Sequence, residues 1–131
     1  MFKTHAAVYE GSDGRIGAWF GLPTLLLTVV GRKSGKRYST PLAYFEDGGS
    51  YVVVGSDGAA RRDPQWWKNL TANPNGSIRV GRKQLDVRAR LATGDERARL
   101  WELGKGVNPM WSKYQKRTKR ELPVVVLTPK S

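Results

Sequence analysis

Apolar residues in this chain fall into runs of strand length, one of them with the strict two-residue alternation of a half-buried β-strand, and in three places into the wider spacing of helices. Residues 24–30 (TLLLTVV) are an apolar run of strand length bounded by Pro23 and Gly31, which predicts a buried strand. Residues 37–46 predict a second strand and residues 50–55 a third, separated by the turn signal Asp47-Gly48-Gly49. The short connections predict that these three form an antiparallel meander. Residues 77–80 and 84–92 predict a hairpin around Gly81-Arg82-Lys83. In its second strand Leu85, Val87, Ala89 and Leu91 alternate with Asp86, Arg88 and Arg90, one face for the core and one for water. Residues 122–128 predict the last strand. Between these runs, Asp63-Pro64 reads as a helix start with an acceptor at N-cap and proline at N1. That helix passes through Trp66, Trp67 and Leu70 to about Asn73, where Pro74 ends it. Thr93-Gly94-Asp95-Glu96 has the form of a capping box, and the helix after it carries Ala98, Leu100, Trp101 and Leu103 to a glycine-rich end at 104–106. Residues 109–120 predict another short helix with Trp111 and Tyr114 on one face. Residues 1–22 are small, polar and glycine-interrupted, with a short helix expected at 5–10 and a loop at 11–17. The order β-β-β-α-β-β-α-α-β predicts a mainly β (α+β) chain, a closed or nearly closed antiparallel barrel of about six strands with flanking helices.

Composition narrows the chemistry. At 131 residues, the chain is expected to be one domain, 1–131, and its 39% hydrophobic content suffices for one modest core. No apolar run is long enough to span a membrane, and no secretory h-region opens the sequence. There is no cysteine, which excludes disulfides, thiolate metal sites and thiol catalysis and makes a cytoplasmic location the expectation. The lone histidine, His5, lies near a terminus. Neither a Ser-His-Asp triad nor a histidine-ligated metal site is therefore expected. Redox chemistry would need an external cofactor, because the side chains supply none. The 23 Lys and Arg outnumber 11 acids for a net charge of +12, which attracts polyanions: nucleic acid, an anionic membrane surface or a multiply charged ligand.

Four segments could carry chemistry. Gly31-Arg32-Lys33-Ser34-Gly35-Lys36-Arg37 places four cations and a serine in a glycine turn between strands. Such a turn can aim backbone N–H groups at a phosphate or carboxylate, or be a solvated hairpin tip. It lacks the Walker spacing and opens no helix, which excludes a nucleotide P-loop and the dinucleotide fingerprint. The stretch from Ser56 through Gly58, Ala59, Arg61 and Pro64 to Trp66, Trp67 and Asn69 runs from a strand end through small residues into a helix start. It suits the approach of a flat, anionic ligand, with the tryptophans as cofactor contacts or as core. In the third segment, Asn108, Trp111 and Tyr114 line a pocket or hold the last helix down. In the fourth, Thr40-Pro41-Leu42 marks an edge strand or bulge, because Pro41 cannot donate to a ladder.

Taken together and in order, LLLT-x-x-GRKSG, TPL, DGG, the Ser56 loop, P-x-W-x-x-N-L-x-A-N-P and Y-Q-x-R-T-x-R-x-x-P-V-V resemble the deazaflavin-dependent nitroreductase family over residues 22–128. The resemblance implies a split β-barrel of the flavin/deazaflavin oxidoreductases. It implies an enzyme that passes a hydride from reduced coenzyme F420, an anionic deazaflavin with a phosphodiester and an oligoglutamate tail, to an electron-poor acceptor. Carried over by motif, Arg32, Lys33, Ser34, Gly35 and Arg37 would hold the phosphate and tail, and Thr40, Pro41 and Leu42 would lie against the ring. Ser56, Gly58, Ala59 and Arg61 would line the next loop, and Pro64, Trp66, Trp67 and Asn69 would close the groove. Ser56 and Tyr114 are the candidate proton donors. Ala43, Asn108 and Trp111 stand with Tyr114 around the substrate, where the best-known nitroreductases carry tyrosines, and Asp57 replaces a family lysine. These departures weigh against bulky nitroaromatics and leave quinones, enones or unsaturated lactones as acceptors. The alternatives are an FMN-binding barrel and a non-catalytic nucleic-acid-binding barrel, the latter not expected because no binding motif is present. Peripheral contact with anionic membrane is compatible with the charge, as is either a monomer or a homodimer.

Overall fold

A computed structural model describes residues 22–56, 60 and 62–130; the helix and loop expected within 1–22 lie almost wholly outside them. The elements in chain order are β1 (Thr24–Val30), β2 (Arg37–Ala43), β3 (Phe45–Asp47), β4 (Ser50–Val54), α1 (Gln65–Ala72), β5 (Asn75–Val80), β6 (Lys83–Leu91), α2 (Gly94–Val107), α3 (Pro109–Arg117) and β7 (Val124–Pro129). The strands make one antiparallel sheet in the order β2-β1-β5-β6-β7-β4-β3. The two edge strands, β2 and β3, are consecutive in the chain and separated only by Tyr44. A sheet whose opposite edges are joined by one residue must curl until those edges meet, which is the expected split barrel.

Two expectations are corrected here. Residues 37–46 are not one strand but two, so the sheet has seven strands rather than six. At Tyr44 the chain leaves its pairing with β1 and enters pairing with β4, while the Tyr44 N–H donates to Pro23 O at 3.1 Å. For the same reason the first three runs do not form a meander: β2 and the β3–β4 hairpin sit at opposite ends of the sheet order. Nothing in a period-two pattern marks a change of partner, because both halves keep the same alternation. Pro41 does lie on an edge strand, as its missing N–H requires.

The curl separates two apolar layers. Inside are Leu25, Leu27, Val29, Tyr51, Val53, Ile78, Val87, Ala89, Val125 and Leu127, and α1 adds Trp66 and Leu70 to them. Outside, Phe45, Val52, Val54, Val124 and Val126 pack beneath Leu100 of α2, Trp111 of α3 and Leu122. β4 and β7 therefore carry unbroken valine runs because both of their faces are covered. α2 and α3 meet where Gly104 faces Trp111: a Cβ on Gly104 would lie 3.2 Å from the indole. That close approach explains why a helix tolerates glycine at this point. Among the described residues, no helix is long and apolar enough to cross a membrane.

The helix starts differ from expectation in a way that bears on the site. Pro64, not Asp63, is the N-cap of α1 and no side chain caps it; the Asp63 carboxylate pairs with Arg120 at 2.8 Å. Thr93 is the N-cap of α2 but makes no side-chain cap bond, and the Glu96 carboxylate, which a capping box would turn back to the Thr93 N–H, is taken by the Arg90 guanidinium at 2.6 and 2.8 Å. A second fork joins Arg99 of α2 to Asp47 at 2.8 and 3.1 Å. Hydrogen bonding from Arg99 holds the Asp47 carboxyl below its ordinary value of 3.8, and hydrogen bonding from Arg90 holds Glu96 below 4.5. A carboxyl whose pKa is lower folded than unfolded contributes stability above its unfolded value and loses it as pH falls through the folded one. The melting temperature is thus expected to be insensitive to these pairs from neutrality to about pH 5 and to fall below about pH 4. Asp47→Asn should flatten that acid limb, as followed by circular dichroism. An unchanged limb would place the acid sensitivity elsewhere.

Candidate functional site

The β1–β2 turn is built around Gly31. Its N–H donates to Lys36 O at 2.7 Å, and its carbonyl accepts from the Gly35 N–H at 2.9 Å. Gly35 supplies the left-handed conformation that closes the turn, with φ of 72°. The Tyr38 ring folds back over Gly31, so that a Cβ there would come within 2.5 Å of Tyr38 Cε2 and 2.9 Å of Ser34 Oγ. The Ser34 hydroxyl lies 3.0 Å from the Tyr38 hydroxyl and accepts from the Lys36 N–H at 3.1 Å. The turn is therefore held in shape by its own side chains.

Its four cations divide into two kinds. Arg32 faces inward along α1: its backbone N–H and its Nη1 both donate to Asn69 Oδ1, at 3.1 and 2.8 Å, and its Nη2 donates to Gln65 Oε1 at 2.9 Å. Asn69 is buried. Arg32 and Asn69 are thus the strut that fixes the cationic hairpin against the tryptophan-bearing helix. Lys33, Lys36 and Arg37 are exposed, and no carboxylate among the described residues pairs with any of them. The described ion pairs involve instead residues of α2 and the Arg120–Asp63 pair. Among the described residues no carboxylate compensates the positive field at the hairpin, which suits it to binding an anion.

On α1, Trp66 belongs to the inner core and Trp67 is half-buried beside it; their rings meet nearly edge to face, with centroids 6.5 Å apart. Pro64 is buried under Gly55, whose Cβ position it approaches with Pro123. Thr40, Pro41 and Leu42 are half-buried on the edge strand β2, and Leu42 packs on the inner core. Gly58, Ala59 and Arg61 lie outside the described residues. Ser56 is half-buried, at the end of the β4 run.

Around the outer layer, Ala43 and Tyr114 are partly buried against the cluster that contains Trp111, so three of the four residues expected around the substrate do share one neighbourhood. Trp111 itself is 3% exposed and packs on Phe45, ring centroids 6.2 Å apart. Asn108 is buried and caps α3 by accepting the Met110 N–H at 3.1 Å. Both support the wall on which Ala43 and Tyr114 lie. Sequence reasoning missed two participants. Gln65 helps hold Arg32, and a long polar side chain on a helix gives no signal of its partner. Arg120 is bonded to the Ser56 segment, and in sequence it is the second arginine of the Y-Q-x-R-T-x-R motif, with nothing to show what it holds.

The family model of the F420H(2)-dependent quinone reductases matches residues 1–129. An F420H(2)-dependent quinone reductase of Mycobacterium tuberculosis is 40% identical over 133 aligned positions, covering 98% of this chain and 89% of the relative. Among solved structures, an F420-H2 dependent reductase is 39% identical with a TM-score of 0.74, over 80% of this chain and 93% of that one. A structure described as a domain-swapped dimer is 34% identical with a TM-score of 0.75, over 95% and 98%.

Proposed function

The chain belongs to the F420H(2)-dependent quinone reductase family and is an oxidoreductase that uses coenzyme F420; we propose that its cationic hairpin, the β2 edge and the Ser56 segment divide the binding and the chemistry among them. The observation that carries this reading is the Arg32–Asn69 strut. It sets the exposed cations of the hairpin beside α1, the helix that begins at Gln65 and carries Trp66 and Trp67. One ligand with an anionic tail and a flat ring can touch both. The donor set fits: Lys33, Lys36 and Arg37, which pair with no carboxylate among the described residues, are suited to phosphate and carboxylate, whereas FMN would leave much of that charge without a counterpart.

When bound, the reduced cofactor supplies a hydride from C5 of its deazaflavin ring. The chain's own residues bind, orient and shield. Lys33, Lys36 and Arg37 hold the tail. The backbone of Thr40, Pro41 and Leu42 offers the ring an edge-strand surface with few protruding side chains. Trp67 closes the groove next to the Trp66 that anchors it in the core. A quinone that has taken up a hydride carries an oxyanion, which must be protonated. In this reading the hydroxyls of Ser56 and Tyr114, directly or through a water, deliver that proton. Ala43, small where a tyrosine would narrow the pocket, favours flat quinones, enones and lactones.

Ser56→Ala and Tyr114→Phe each remove a hydroxyl and leave the fold intact. Each is expected to lower kcat with a soluble quinone by about tenfold or more, with little change in F420 affinity measured by fluorescence titration. Full turnover in the double variant would reject both as proton donors while leaving the cofactor assignment standing.

A further inference from the structure

The Arg120 side chain makes four directed hydrogen bonds, all of them to the segment between Gly55 and Asp63. Its Nε donates to Ala60 O at 2.7 Å. Its Nη1 donates to Gly55 O at 2.9 Å and to Asp63 Oδ1 at 2.8 Å, and its Nη2 donates to Ser56 O at 2.8 Å. One planar guanidinium thus bonds four acceptors at the beginning and end of the segment from Gly55 to Asp63. Its side chain is only 13% exposed, so water cannot replace those bonds cheaply. The other end of Arg120 is pinned too: Gln115 Nε2 donates to Arg120 O at 2.8 Å, while Gln115 Oε1 accepts the Leu122 N–H at 2.9 Å. Gln115 follows Tyr114 on α3. A continuous run of bonds therefore leads from the helix bearing Tyr114, through Gln115 and Arg120, to the backbone of Ser56.

We propose that Arg120 is a positioning residue: it fixes the Ser56 segment relative to α3, and so sets the two proposed proton donors in one geometry. This inference rests on the assignment of Ser56 and Tyr114 made above. Asp63 completes the arrangement. It gives up the expected capping of α1 to neutralise the buried guanidinium, leaving the three carbonyls to define its orientation. The requirement is for a fork and not for charge alone. Lysine carries the same charge but offers one compact ammonium that cannot reach carbonyls on both sides of the segment.

The test uses the full chain with Arg120→Lys, Arg120→Gln and the milder Asp63→Asn, and reads three quantities. The first needs no cofactor: the rate of limited tryptic cleavage after Arg62 in the ligand-free protein, at a temperature far below melting. It is expected to rise at least tenfold in both Arg120 variants and less in Asp63→Asn. The second is kcat with F420H2 and a soluble quinone, expected to fall about tenfold in Arg120→Lys while KM and the F420 dissociation constant change less than threefold. The third is the double variant Ser56→Ala/Arg120→Lys, expected to be no slower than the slower single variant, because both act on one proton delivery. Wild-type cleavage and wild-type kcat in Arg120→Lys would overturn the proposal. So would a kcat loss that multiplies in full with that of Ser56→Ala, the mark of a general structural defect. If cleavage rises but Ser56→Ala is fully active, the clamp stands and the proton-donor assignment fails instead.

Discussion

Replacing Lys33, Lys36 and Arg37 together by alanine is expected to weaken F420 binding by about 100-fold at low salt. Each charge-assisted contact to phosphate or carboxylate is worth about 1 kcal/mol or somewhat more at an exposed site, and three such losses multiply to roughly that factor. The wild-type affinity should itself fall as salt rises, since these exposed charges are screened within about 8 Å at physiological ionic strength. The triple variant should show a shallower salt dependence. Fluorescence titration of F420 at two ionic strengths reads both quantities. Stability should hardly change, because none of the three is paired with a carboxylate among the described residues. Arg32→Ala is a different experiment. It breaks the strut to Asn69 and Gln65, so it moves the hairpin as well as removing a charge. An unchanged affinity in the triple variant would remove the hairpin from the cofactor site.

The second large effect concerns a residue that the sequence could assign either to the pocket or to the core. Trp111→Ala should destabilise the fold by about 3–5 kcal/mol, which for a chain of this size is a fall in melting temperature of more than roughly 10 °C. The indole fills the space between Phe45 and Gly104, and no neighbouring side chain can occupy the void. Trp111→Phe keeps most of the packing and is expected to leave the quinone KM within about twofold. A melting temperature near wild type combined with a strongly raised KM would instead make Trp111 a substrate contact. Thermal denaturation and steady-state kinetics on the same samples separate the two.

Much of the architecture was legible in one dimension because its cause is local. The apolar run at 24–30, the alternation of residues 85–91 and the Gly31, Gly35 and Gly48-Gly49 turns each reflect constraints acting within a few residues: burial on one or both faces, or φ values that only glycine adopts easily. Pro41 marked an edge strand because the missing donor has the same effect wherever the strand pairs. The ordered motifs also carried the family, since they encode surfaces that a shared ligand must meet. Where the reading went astray, a partner distant in sequence had overridden a local preference. Asp63 and Glu96 both have the form of helix-start residues, and both are claimed by arginines, Arg120 and Arg90, that a local pattern cannot see.

What this sequence determined by itself is most of the strands and helices, the cationic character of the β1–β2 turn and the absence of thiol chemistry, all properties of short stretches and of composition. Only the tertiary structure decided which side chains meet. The switch of pairing at Tyr44 curls seven strands into a barrel, Arg32 reaches Asn69 across 37 positions, and Arg120 reaches the Ser56 carbonyl across 64. Hydrogen-bonded partners at that separation are chosen by the path of the folded backbone, and residue spacing carries no record of that path.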